Sequence, residues 1–278
     1  MILLVGGEKG GSGKSCLAQN LAVYLRSQFQ GEVLLVDCDP QRTTSDWIQE
    51  RNDNPELPQI NCVQLYGNIR NDLLSLKNRY DYVIVDCGGQ DNRALRSTMA
   101  VATHALIPLR PKRRDLKTLP HMEDLITTCK MVNPTLNAAV VLTQCPSLPN
   151  QVKRILEAKE VCSSFGVDVL NAITYGRNVY DDSEEKGLSV MEIANPPKRS
   201  EPLPKSSCKW GCEMGLADLK KKHQLHHQKN FTVDEFIEDA EFYAKGKPKV
   251  VSLELSLHRD EALTALAFIE SGEHLKPS

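Results

Sequence analysis

The sequence predicts an α/β fold, a doubly wound and mostly parallel sheet flanked by helices, with a small C-terminal α+β appendage. Three observations carry that expectation. Short β-branched and leucine-rich runs alternate with longer stretches of helical period, the pattern of βαβ units around a sheet buried on both faces. The first apolar run, residues 2–5, opens directly into a glycine-rich turn and then a helical stretch. Two later apolar runs each end on a carboxylate, Asp37 and Asp86.

Taken in order, strands are expected at 2–5, 32–37, 60–65, 81–86, 104–109, 138–142 and 167–173, and helices at 14–29, 44–52, 67–78, 92–102, 115–132 and 149–165. Each helical stretch is long enough for a right-handed crossover between parallel strands. The alternation stops near residue 195, where NPPKRSEPLPKSS supplies four prolines and mixed charge, a composition that favours extended, solvated chain. The expected division is therefore a domain at 1–197, a linker at 198–213 and an extension at 214–278. Within the extension, FTVDEFIEDAEFYAKG reads as a helix, 250–257 as a half-exposed strand and 260–269 as a short helix. That is too little for an independent core.

No apolar run approaches the roughly 20 residues that cross a bilayer, and residues 1–5 run into the glycine turn without room for a removable leader. The expected location is the cytoplasm. The nine cysteines are odd in number, and Cys16, Cys38, Cys87, Cys129 and Cys145 sit in apolar segments, where a reduced thiol packs as a small hydrophobe. Cys208 and Cys212, with His223, His226 and His227 nearby, have irregular spacing for zinc, so core or loop roles are favoured. A net charge of −2 decides nothing about polyanions, which need a local basic face.

The chemistry concentrates in GGEKGGSGKS, Gly6 to Ser15. A strand-to-helix turn of this composition points backbone N–H groups of Gly10, Gly11, Ser12 and Gly13 into one concavity, and the helix N-terminus adds positive potential. A polyphosphate fits there, with Lys14 neutralising β and γ phosphates, Ser15 ligating Mg²⁺ that bridges them, and Cys16 beside the phosphates. A second lysine, Lys9, lies five residues before Lys14. Here the sequence resembles the ParA/MinD family of deviant Walker A ATPases, whose loop KGGxGK[ST] is matched by Lys9 to Ser15. The resemblance implies a P-loop NTPase fold, ATP and Mg²⁺ as cofactors, and a trans role for Lys9 at the partner's phosphates in a nucleotide-sandwich homodimer.

Two further segments extend the resemblance. In VLLVDCDPQ, similar to the family's DxDPQ, Asp39 is expected to orient the attacking water and Asp37 to lie near the metal; a helix-capping turn is the structural alternative for this pair. In YDYVIVDCGG, the Walker B arrangement, Asp86 is expected to hold Mg²⁺, and Gly88 and Gly89 stand where many relatives have a proline. Thr143 and Gln144 replace the asparagine that often reads adenine, which leaves Gln144 and Pro146 as candidate base contacts.

The similarity covers residues 1–194 and is nearest the small plasmid partition ATPases. It implies ATP-dependent dimerisation, non-specific binding of double-stranded DNA at the nucleoid, and a centromere-binding or cargo adaptor protein as partner. Arg110, Lys112, Arg113, Arg114, Lys153, Arg154 and Arg177 are the candidate DNA contacts. The alternative is a MinD-like switch that times protein-cargo or membrane-associated positioning.

Overall fold

The computed structural model describes residues 1–29, 31–89 and 92–194. The expected linker, extension and zinc candidates lie outside the described residues.

Seven strands form one parallel sheet: β1 Ile2–Gly6, β2 Val33–Asp37, β3 Asn61–Gln64, β4 Tyr82–Cys87, β5 His104–Leu109, β6 Asn137–Cys145 and β7 Asp168–Tyr175. Their order across the sheet is β3-β2-β4-β1-β5-β6-β7. The alternation of side chains along each strand explains the two cores. Ile2 and Leu4 of β1, with Leu34, Val36, Val83, Val85 and Ile107, face one side. Leu3 and Val5, with Val33, Leu35, Ile84, Leu106 and Val141, face the other. Both faces are apolar because both are covered by helices, as a parallel sheet requires.

The helices are α1 Lys14–Gln28, α2 Thr43–Asp53, α3 Arg70–Leu76, α4 Asn92–Met99, α5 Arg113–Leu116, α6 Leu119–Val132, α7 Val152–Ser164, α8 Asn178–Glu184 and α9 Val190–Ala194. α1 and α2 cover the Leu3 face through Ala18, Leu21, Ala22, Leu25, Trp47 and Ile48; α3, α4, α6 and α7 cover the Ile2 face. The helix expected at 115–132 is two helices. Pro120 falls in the first turn of α6, where its missing N–H is harmless but its ring disfavours a helix running through from α5. β6 runs three residues further than expected, to Cys145, and α8 falls in a stretch the apolar period left unassigned.

The topology brings three strand ends together. β1 lies between β4 and β5 with Val5 opposite Asp86, and β2 pairs with β4 with Asp37 opposite Asp86. The glycine turn and both carboxylates therefore share the C-terminal edge of the sheet, where ligands bind in open α/β folds.

Candidate nucleotide site

The loop between β1 and α1 wraps the start of the helix. Gly11 and Gly13 have φ of 69° and 82°, the left-handed region that side-chain-bearing residues rarely adopt. Lys14 is buried, and its Nζ donates to the Lys9 carbonyl at 2.7 Å. Burial lowers its pKa, while Asp86 and Asp39 raise it and Arg110 lowers it further. A buried ammonium held this way is a charge ready for an anion rather than one already neutralised by a salt bridge.

The loop's carbonyl oxygens meet donors from neighbouring strand ends. Thr143 Oγ1 donates to the Ser12 carbonyl at 2.7 Å, Gln144 Nε2 to that of Gly11 at 3.1 Å, and Arg110 Nη2 to that of Gly10 at 3.4 Å. Gln144 was expected at the base; its amide instead lies on the phosphate loop. Arg110 was expected on a DNA face, but it pairs with the buried Asp115 at 2.7 Å and sits beside Gly11.

The three carboxylates occupy different environments. Asp37 is fully buried and satisfied: Oδ1 accepts the Asp39 N–H at 2.9 Å, and Oδ2 accepts the Ser45 N–H at 2.8 Å and its hydroxyl at 2.6 Å. Both oxygens hold the turn that starts α2, as the helix-capping alternative expects. Asp39 is half-buried, and its Oδ1 accepts the Gln41 N–H at 2.9 Å. A Cβ on Gly88 would overlap the Asp39 carboxylate, and one on Gly89 would overlap the Glu8 carbonyl. The glycine pair thus permits the loop after β4 to lie against both.

Asp86 is buried and only partly paired. Its Oδ2 accepts the Thr44 hydroxyl at 2.7 Å, and Thr44 in turn accepts from Gln19 Nε2 at 3.3 Å. Oδ1 is buried without a hydrogen-bond partner. Desolvation raises the Asp86 pKa to about 6, with the Thr44 and Ser15 hydroxyls pulling it down, Asp37 pushing it up and Lys14 lowering it. An orphaned carboxylate oxygen near a serine hydroxyl at a phosphate loop is a hard oxygen set that fits Mg²⁺. Among the described residues no cluster of three or more His, Cys, Asp or Glu could hold a metal alone.

A cleft of about 890 Å³ adjoins the loop. Its lining includes Lys14, Ser15, Cys16 and Asp39 of the phosphate loop region together with Gln144, Tyr175, Arg177, Tyr180, Asp181 and Glu184. The Arg177 guanidinium lies 5.6 Å over the Tyr175 ring and lines the cleft. Pro146 is not among the lining residues. Cys16 lines the cleft with its thiol pushed up to about 12 by burial and by Glu184 and Asp181, so it stays protonated. Lys112, Arg113, Arg114, Lys153 and Arg154 are exposed. Thr44, Ser45 and the hydroxyl role of Thr143 were missed; Thr43, Thr44 and Ser45 in series after DPQR carry an N-terminal helix signal that could have found two of them.

Residues 3–190 match the model of the CobQ/CobB/MinD/ParA nucleotide binding domain. The "Maintenance of carboxysome distribution protein A" of Halothiobacillus neapolitanus is 28% identical over 197 residues, 69% of this chain and 87% of that protein. The "Chromosome partitioning protein ParA" of Myxococcus xanthus is 28% identical over 218 residues, 64% of this chain and 76% of that protein. Among solved structures, apo McdA from Cyanothece superposes with a TM-score of 0.56 at 17% identity, covering 70% of this chain and 93% of its own. Among the described residues no helix is long and apolar enough to cross a membrane.

Proposed function

Because the chain belongs to the CobQ/CobB/MinD/ParA nucleotide-binding family, we propose that it is a partition or positioning ATPase in which ATP closes a homodimer, the dimer binds double-stranded DNA without sequence preference, and hydrolysis releases it. The observation that carries this reading is the different state of two lysines in one loop. Lys14 is buried and bonded within its own loop. The Lys9 ammonium makes no hydrogen bond or ion pair among the described residues and is free to serve a partner's phosphates.

The chemistry is phosphoryl transfer to water. Lys14 and the N-terminus of α1 stabilise charge on the phosphoryl oxygens, and Asp39 orients the water. Ser15 and Asp86 would hold Mg²⁺, which would supply positive charge to offset the negative charge developing on the phosphates. The exposed Lys112, Arg113 and Arg114, with Lys153 and Arg154, support contact with DNA phosphates at the nucleoid. A centromere-binding or cargo adaptor protein triggers hydrolysis, and residues 214–278 are an adaptor-like extension. A chain ending at Pro197 that keeps every nucleotide and DNA response of the full chain removes that last role.

The carboxysome name of one relative favours a second reading, an ATP-timed switch for protein cargo. Sedimentation with ADP or a slowly hydrolysed ATP analogue, with and without random-sequence DNA at low salt, separates the two. The analogue is expected to produce a dimer that co-sediments with DNA; a dimer that ignores DNA favours the switch. Lys9→Ala is expected to bind nucleotide and stay monomeric, and dimerisation like the wild type would sink its role in trans.

A further inference from the structure

Every carbonyl oxygen from Lys9 to Gly13 has an intramolecular donor. Lys9 accepts from Lys14 Nζ at 2.7 Å and Ser12 Oγ at 3.3 Å, Gly10 from Arg110, Gly11 from Gln144, Ser12 from Thr143, and Gly13 from the Leu17 N–H at 3.0 Å. Among the described residues the backbone N–H groups of Gly10, Gly11, Ser12 and Gly13 donate to none. A loop this rich in glycine can flip its peptide planes, and each flip would turn a donor facing a phosphate into a repelling acceptor.

We infer that Thr143 and Gln144, backed by Arg110, are positioning residues that hold the loop's carbonyl oxygens aside and so fix its N–H groups for a polyphosphate. The inference rests on the nucleotide reading above and assigns Gln144 to the phosphates rather than the base. Two features of Gln144 support it. Its φ of 49° is a left-handed conformation that a long side chain adopts at a cost, and that conformation accompanies an amide reaching Gly11. The Gly176 N–H donates to the adjacent Cys145 carbonyl at 3.0 Å, tying this strand end to β7. Thr143 is 2% exposed, so its hydroxyl has the Ser12 carbonyl as its partner and no bulk water in exchange. Arg110 is held from behind by both oxygens of Asp115, at 2.7 and 3.2 Å; its own bond to Gly10 is the longest of the set.

Isothermal titration of the full chain with Mg²⁺, using inorganic pyrophosphate and ATP as separate probes, tests this. Pyrophosphate has no base. Gln144→Met and Thr143→Val are each expected to weaken both probes by the same factor, about tenfold, while Thr143→Ser keeps wild-type affinity and the melting temperature of the unliganded Gln144→Met protein is unchanged. Weakening of ATP alone by Gln144→Met makes it a base contact and overturns the assignment. Unchanged affinity for both probes overturns it as well. Should Thr143→Val not fold, Gln144→Met carries the test on an exposed side chain. A wild-type chain that takes up neither probe refutes the nucleotide reading itself, whatever the variants do.

Discussion

Replacing Asp86 by asparagine removes a charge that the protein without nucleotide must carry in a buried site. Burial raises this carboxyl from 3.8 to about 6, so the folded chain holds the proton over a pH range in which the unfolded chain has lost it. The sign follows directly. A raised acid favours folding below pH 3.8 and loses that contribution as pH climbs through 6, leaving a penalty of about 3 kcal/mol at neutral pH. About half of it develops between pH 5 and 8. Asparagine keeps a carbonyl for the Thr44 hydroxyl and has no charge to desolvate. Urea unfolding of both proteins in EDTA at pH 5, 6, 7 and 8 measures the difference. The Asp86→Asn protein is expected to be the more stable, with an advantage that widens by about 1–2 kcal/mol across that range. With Mg²⁺ and ATP the order reverses, because only the wild type has an anionic oxygen for the cation. A difference that stays constant from pH 5 to 8 would refute the claim that burial controls this carboxylate.

Gly89→Ala sets a methyl against the Glu8 carbonyl and is expected to cost about 1–3 kcal/mol in urea unfolding; a neutral substitution means the loop after β4 does not need the close approach. Arg51 is buried and pairs with Glu192 through two bonds at 2.9 and 2.8 Å, while donating to the Gly187 and Pro58 carbonyls. Arg51→Met is expected to cost about 3–5 kcal/mol by leaving Glu192 without its cationic partner, the Ser189 N–H at 2.8 Å remaining, with Glu192→Leu in the same chain recovering part of it; no recovery in that double variant counts against the ion pair. Changing Lys112, Arg113 and Arg114 together to alanine is expected to flatten the dependence of log K for random DNA on log salt by about 3, one unit for each lost phosphate contact, and an unaltered slope moves the DNA face elsewhere.

The sheet was legible because its signal is hydrophobic and local. A strand buried on both faces has to be apolar throughout, so residues 33–36 and 82–85 announced themselves, and each ended at the residue where the edge becomes polar. The helix pattern was less sharp where packing is thin. α8, with Asp181, Asp182 and Glu184 in seven residues, has no apolar stripe to reveal it, and the break between α5 and α6 depends on how one proline sits in a first turn. β6 outran its expected end because Thr143 and Gln144 are polar; they continue the strand to serve the loop beside it, which no periodicity in their own segment records.

The carboxylates mark the limit of such reading. Asp37 and Asp86 have the same sequence context, the last acidic residue of an apolar strand, and they lie opposite each other on paired strands. What separates them is supplied by residues distant in the chain. Asp37 meets the N-terminus of α2, where the Ser45 N–H and hydroxyl and the Asp39 N–H satisfy both oxygens. Asp86, one strand closer to β1, meets Thr44 from the same helix turn with one oxygen and nothing with the other. Thr44 and Ser45 are adjacent, so a single turn of α2 divides its donors between two carboxylates and leaves one of them short. A buried oxygen left short is destabilising unless something charged arrives. The unpartnered oxygen is what separates Asp86 from Asp37, and the strand motif alone could not make that distinction.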